Sequence, residues 1–191
     1  MSQKITVVSG LPRSGTSMMM KMLQAGGLGI MMDGLREADE DNPKGYYELE
    51  KVKALDKTED KSWLNQAEGK AIKVISQLLR ELPGDFKYRV IFMRRKMDEI
   101  LASQKKMLQR RGEPTDRISD AELATLFEKH LLQTETWLKN QPNFEVLYVT
   151  YHEVIDQPET YAEQINTFLG GGLDTDKMIE VVDSSLHRNR A

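Results

Sequence analysis

The segment "KITVVSGLPRSGTSMMMKML", Lys4 to Leu23, runs from an apolar β-branched stretch through a turn rich in Gly, Ser and Thr into the first turns of a helix. No other feature of the chain restricts its fold so tightly. Apolar residues at consecutive positions, as in "ITVVS" over 5–9, mark a strand buried on both faces, and such strands belong to parallel sheets covered by helices. Gly10 and Gly15 stand five residues apart and bracket "LPRS", so successive backbone N–H groups can curl around an anion at the start of the following helix. Thr16 and Ser17 add hydroxyl donors. In a nucleoside-triphosphate loop a lysine before the last Ser or Thr reaches the β and γ phosphates, and an acidic strand end completes a magnesium site. Here Thr16 holds the lysine's place, the loop's only cation is Arg13, and "YRVIFM" ends without a carboxylate. The loop therefore suits a phosphate ester held without a metal.

The rest of the chain alternates strands with helices. The helix opened at Ser17 closes at Gly26 and Gly27, and "READEDNPKGYYELE" carries an Asn-Pro-Lys-Gly turn before a helix running to about Lys57. "AIKVISQLLRELPG" over 71–84 has apolar residues at helical spacing and stops at Pro83-Gly84; "YRVIFM" over 88–93 reads as a strand. Helices are expected over 98–111 and from about Ser119, the latter with Leu123, Leu126, Phe127, Leu131 and Leu138 along one stripe. "FEVLYVTY" over 144–151 is a further strand, followed by a helix with Asp156 as N-cap and Gly170 as C-cap, then a short helix near 174–184. This pattern predicts an α/β chain: a three-layer α/β/α P-loop fold with a central, mainly parallel sheet, its ligands at the carboxyl ends of the strands.

At 191 residues the chain suits one domain over 1–191, with a core of useful size. No apolar run reaches the roughly 20 residues that cross a bilayer. The N-terminus enters a strand almost at once, leaving no room for a targeting peptide. With no Cys and a net charge of -3, neither disulfides nor a nucleic-acid partner are expected, and a cytoplasmic setting fits. Neither a metal nor a membrane partner is expected, and the oligomeric state is left open.

"GLPRSGTS" resembles the 5′-phosphosulfate loop of the sulfotransferases, whose donor is 3′-phosphoadenosine 5′-phosphosulfate (PAPS). A second segment, "VIFMRRKMDEILASQ", is similar to that family's strand, Arg, helix element for the donor's 3′-phosphate. The family has an arginine at the strand end and a serine eight residues later, which fall on Arg95 and Ser103; in the other register Arg94 stands four residues before Asp98 but Ala102 takes the serine's place. An arginine fork and a hydroxyl at a helix start suit a dianionic phosphate. "DNPKGYYE", "LPGDFKYRVIFMRR" and "VTYHEVIDQPETYAEQINTFLG" are similar to further stretches of the family, extending the resemblance from residue 4 to about 172. It implies donor contacts from Pro12, Arg13, Ser14, Gly15, Thr16, Ser17, Arg95 and Ser103, with Arg188 or Arg190 of the basic tail reaching a nucleotide phosphate.

One departure concerns the proton. Family members that act on phenols and alcohols use a histidine in a Lys-Thr-His strand as base, and "GKAIKVIS" has none. Other relatives use a glutamate after the first helix, which makes Glu37 the expected base, with Glu40 and Glu48 behind it. Lys73, or Lys70, would supply a cation near the sulfuryl group beside Arg13. Of the three histidines, His130 reads as a core or rim residue of the long helix, His187 lies in the tail, and His152 is an outside candidate for base after a strand's carboxyl end. Met18 to Met20, Met31 and Met32 read first as core residues and second as an adaptable acceptor lining. Trp63 is a candidate to stack on adenine.

The resulting expectation is a metal-independent sulfotransferase that moves a sulfuryl group from PAPS to a hydroxyl or amine of an unspecified small-molecule, glycan or peptide acceptor. The alternatives are a small P-loop kinase using ATP and magnesium, and a non-catalytic nucleotide-binding module.

Overall fold

The computed structural model describes residues 4–34, 47–115 and 117–182. Its strands β1 (Ile5–Gly10), β2 (Ala71–Lys73), β3 (Tyr88–Arg94) and β4 (Phe144–Thr150) form one sheet in the order β2-β1-β3-β4. Every neighbouring pair is parallel. The helices are α1 (Thr16–Ala25), α2 (Glu50–Lys53), α3 (Met97–Arg110), α4 (Asp120–Lys139), α5 (Tyr151–Asp156), α6 (Pro158–Leu169) and α7 (Thr175–Glu180), joined by 3-10 turns at Ser62–Ala67 and Ser76–Glu81. The expected three-layer α/β architecture is what the structure has.

Side chains alternate between the two faces of the sheet with the strand period of two. Ile5, Val7, Tyr88, Val90, Phe92 and Phe144 enter one core with Trp63, Leu64, Leu79 and Leu138. Val8, Ile91, Met93 and Val149 enter the other with Met19, Met20, Met22 and Leu23 of α1 and with Ala162 and Ile165 of α6. Aromatic contacts stiffen the first core: Tyr88 stacks on Phe144 at 4.7 Å, and Trp137 meets the same ring edge-on at 5.2 Å. Helix α1, which follows β1, thus covers one face, while Leu138 of α4, which comes after β3, enters the core of the other. Chain connections that leave adjacent strands for opposite faces open a crevice at their carboxyl ends, and here it falls between β1 and β3.

Local details depart from the sequence expectations in four places. Residues 71–84 are not one helix: Ala71, Ile72 and Lys73 pair with Thr6, Val7 and Val8 as β2, and only Ser76–Glu81 winds into a 3-10 turn. Burial of Ala71 and Ile72 against β1 outweighs the helical spacing of the apolar residues that follow. The helix expected to reach Lys57 ends at Lys53. Asp156 is the last residue of α5 and Gln157 caps α6, where Pro158 fills the first turn without needing the N–H it lacks. Trp63 is 6% exposed inside the first core, so its ring is not available to adenine. Met19 and Met20 are fully buried core residues, while Met32 is exposed. Gly170 does cap α6, at φ 98, in the left-handed conformation that glycine adopts without a Cβ penalty. Among the described residues no helix is long and apolar enough to cross a membrane.

Candidate functional site

The turn between β1 and α1 is built as its sequence demands. Gly10 has φ 145, and a Cβ there would stand 2.5 Å from Ser14 Oγ and 2.6 Å from the Met93 carbonyl oxygen. Gly15 has φ 98, and a Cβ there would stand 2.3 Å from the Tyr151 ring. Between them Arg13 takes φ 70, a conformation that costs a branched or bulky residue strain. Gly15 is the N-cap of α1 and no side chain caps that helix, so its first amide N–H groups are not spent on a capping oxygen. Ser14 Oγ is buried and has no hydrogen-bond partner among the described residues, and the same holds for Ser9 Oγ at the strand end. A buried hydroxyl without a partner costs about 1–3 kcal/mol unless something accepts from it. An uncapped helix start and an orphaned hydroxyl in one turn fit an anionic oxygen.

The second motif meets the first directly. Arg13 Nε donates to Ser103 Oγ at 2.9 Å, across 90 residues of sequence. Arg95 Nη1 donates to the Arg13 carbonyl at 3.1 Å, and Arg95 Nε donates to Glu99 Oε2 at 2.7 Å. The Arg95 guanidinium also lies 4.4 Å from the centre of the Tyr151 ring, the same ring that packs on Gly15. Arg95 and Glu99 are 7% and 2% exposed, so their charges compensate one another inside the protein. Arg94 faces the other way. It forms a two-pronged pair with Glu135 of α4, at 3.1 and 2.7 Å, and lies 4.1 Å over the Tyr148 ring.

That geometry separates the two registers left open by the sequence. Arg95, not Arg94, joins the loop, and its helix partner is Glu99, a residue the sequence reading passed over. The signal was present: Glu99 stands four residues after Arg95, as Asp98 does after Arg94. Lys73, at the end of β2, donates to Ser17 Oγ at 3.1 Å and so brings a cation to the first turn of α1. Lys70 is exposed, with its stem along Gly29. Thr16 is buried in α1, and Pro12 is half-buried in the turn. Of the carboxylates considered as base, Glu48 pairs with Lys53 at 2.9 Å, while Glu37 and Glu40 lie outside the described residues, as do Arg188, Arg190 and His187. His152 is half-buried in α5, with a buried Nδ1 that has no partner among the described residues. His130 contacts Ser76 Oγ at 2.9 Å, and burial, reinforced by Arg80, lowers its pKa.

The sulfotransferase domain family matches residues 3–189. The chain belongs to the sulfotransferase family. No curated protein matches it in sequence. Solved structures of similar fold include mouse sulfotransferase SULT7A1 complexed with PAP, 16% identical, with a TM-score of 0.58 over 98% of this chain and 68% of that one. Sulfotransferase STF1 from Mycobacterium tuberculosis H37Rv is 14% identical, with a TM-score of 0.57 over 97% of this chain and 72% of that one. The sulfotransferase domain of the Synechococcus PCC 7002 olefin synthase is 15% identical, with a TM-score of 0.55 over 100% of this chain and 85% of that one. At these identities the likeness concerns the fold.

Proposed function

We propose that this sulfotransferase-family chain takes PAPS as donor and transfers its sulfuryl group to a hydroxyl or amine without a metal. The observation that carries the reading is the Arg13 Nε to Ser103 Oγ bond of 2.9 Å, which joins two motifs 90 residues apart. The turn around Arg13, Ser14, Gly15, Thr16 and Ser17 would hold the 5′-phosphosulfate end through backbone N–H groups, hydroxyls and the Arg13 cation. The Ser103 hydroxyl accepts from Arg13 and keeps its own hydrogen for the 3′-phosphate, beside Arg95, whose Nη2 makes no hydrogen bond among the described residues. Similarity in fold to a mouse sulfotransferase complexed with PAP supports a nucleotide of that shape here.

PAPS supplies an activated sulfuryl group, and the protein's part is positioning and charge. As the sulfuryl group leaves, negative charge grows on the oxygen that bridged it to phosphate, and Arg13, in the turn, and Lys73, bonded to Ser17, bring cations to the start of α1. Calorimetry with adenosine 3′,5′-bisphosphate tests the reading. Binding should be unchanged by magnesium, should need the 3′-phosphate and should be lost in Arg95→Ala. Equal affinity for ATP and the bisphosphate overturns it.

A further inference from the structure

A serine–histidine contact lies beyond the carboxyl end of β2, and no donor-binding residue uses it. His130 Nε2 stands 2.9 Å from Ser76 Oγ and 3.4 Å from Thr134 Oγ1, one turn further along α4. Ser76 is 1% exposed, and its hydroxyl donates to Gln77 Oε1 at 3.3 Å. With its one hydrogen on Gln77, Ser76 is the acceptor towards the imidazole and Nε2–H the donor. That tautomer leaves the lone pair on Nδ1, which makes no hydrogen bond among the described residues. The ring is held by one nitrogen and basic at the other.

Its position follows from β2. Lys73 ends the strand with its ammonium on Ser17, and the Val74 N–H still donates to the Val8 carbonyl at 3.0 Å, two residues before the glycine that opens the phosphate turn. Ser76 comes three residues after Lys73, at most about 11 Å of chain. Between them Ile75 is 39% exposed, and Met32, whose neighbour Met31 bonds the Ala71 carbonyl at 2.9 Å, is 44% exposed. Exposed apolar side chains thus flank β2. No carboxylate among the described residues is bonded to Ser76 or His130.

On the sulfuryl-transfer reading given above, we infer that His130 removes the acceptor's proton: Nδ1 takes it while Ser76 orients the ring through Nε2. As the acceptor oxygen forms its bond to sulfur, its proton moves to Nδ1. The bond between sulfur and the bridging oxygen breaks, and its electron pair stays on the departing adenosine 3′,5′-bisphosphate. Burial of the imidazole, reinforced by Arg80, keeps the ring in the neutral form that can accept. His130 is then the catalytic base and Ser76 its positioning residue.

Imidazole NMR spectra of the full chain, with the His130 signal assigned by its loss in His130→Gln, provide the test. PAPS should move that signal and the bisphosphate should not, because the two ligands differ only in the sulfuryl group. His130→Gln should bind the bisphosphate within about twofold of wild type and lower sulfuryl loss from PAPS, summed over 2-naphthol, tyramine and water, by about 100-fold. A His130 signal indifferent to PAPS, or a variant that turns over at the wild-type rate, overturns the inference while leaving the donor reading intact. Failure of wild type to bind the bisphosphate removes the donor reading, and this inference with it. Should His130→Gln fail to fold, the wild-type difference between PAPS and bisphosphate spectra, assigned through Ser76→Ala, still decides.

Discussion

Arg94 and Arg95 are neighbours in sequence and belong to different environments. The first reaches out to Glu135 with 44% of its side chain exposed; the second turns inward to Glu99 with 7% exposed. They part at the end of β3: Arg94, its last residue, shares the face of Tyr148, while Arg95, just beyond it, falls beside the turn after β1. A pair in water gains little, because solvent screens its charges and two long side chains must be ordered to make it. A pair inside the protein also gains little as a pair, yet each partner becomes costly to remove alone. What distinguishes the two arginines is therefore the penalty for breaking each contact. Around Arg95 that penalty also falls on the candidate site.

Glu99→Ala should break this contrast most severely. It leaves the Arg95 charge buried without its carboxylate and should cost about 3–5 kcal/mol in denaturant unfolding. Gly15→Ala comes next: φ 98 alone costs a non-glycine residue about 1–3 kcal/mol, and the new methyl meets the Tyr151 ring. That ring carries Arg95 on it, so calorimetry should register lost bisphosphate binding as well. A double-mutant cycle on Arg94→Ala and Glu135→Ala should return less than about 1 kcal/mol and leave ligand affinity unchanged; a coupling as large as that at Arg95 would erase the comparison. The mildest effect is expected at His130. Its pKa is lowered by burial and by Arg80, so the unfolded chain binds more protons there, and stability should fall as pH drops through the unfolded value near 6.5. Thermal scans between pH 8 and about 5 should show a decline that is smaller in His130→Gln.

The parts of the molecule that were legible in sequence are those whose cause is local. Strand β1, its turn and α1 follow from adjacent residues, and so do the start of α4 at Ser119 and the glycine cap of α6. Strand β2 was misread because three residues carry too little pattern. Their strand geometry comes from pairing with β1, more than 60 residues away in sequence. The pairing of Arg95 with Ser103 came from the family resemblance, and Glu99, four residues after Arg95, carried a spacing of its own. The Ser76–His130 contact could not, since 54 residues separate partners that only the packing of α4 brings together. In sequence His130 looked like one more position on an apolar stripe. The stripe itself was only half right, because Leu138 is buried and Leu126 is 54% exposed.

The ring of Tyr151 against Gly15 bears on when the site can form. The wall that fixes Gly15 and supports Arg95 arrives with the segment after β4, some 136 positions after the phosphate turn. A growing chain halted before that segment would carry the whole motif and still lack its backing. Contacts that close over such long loops form late. The turn therefore becomes competent only once Tyr151 has been made and packed, and chains that end before it should lack nucleotide affinity.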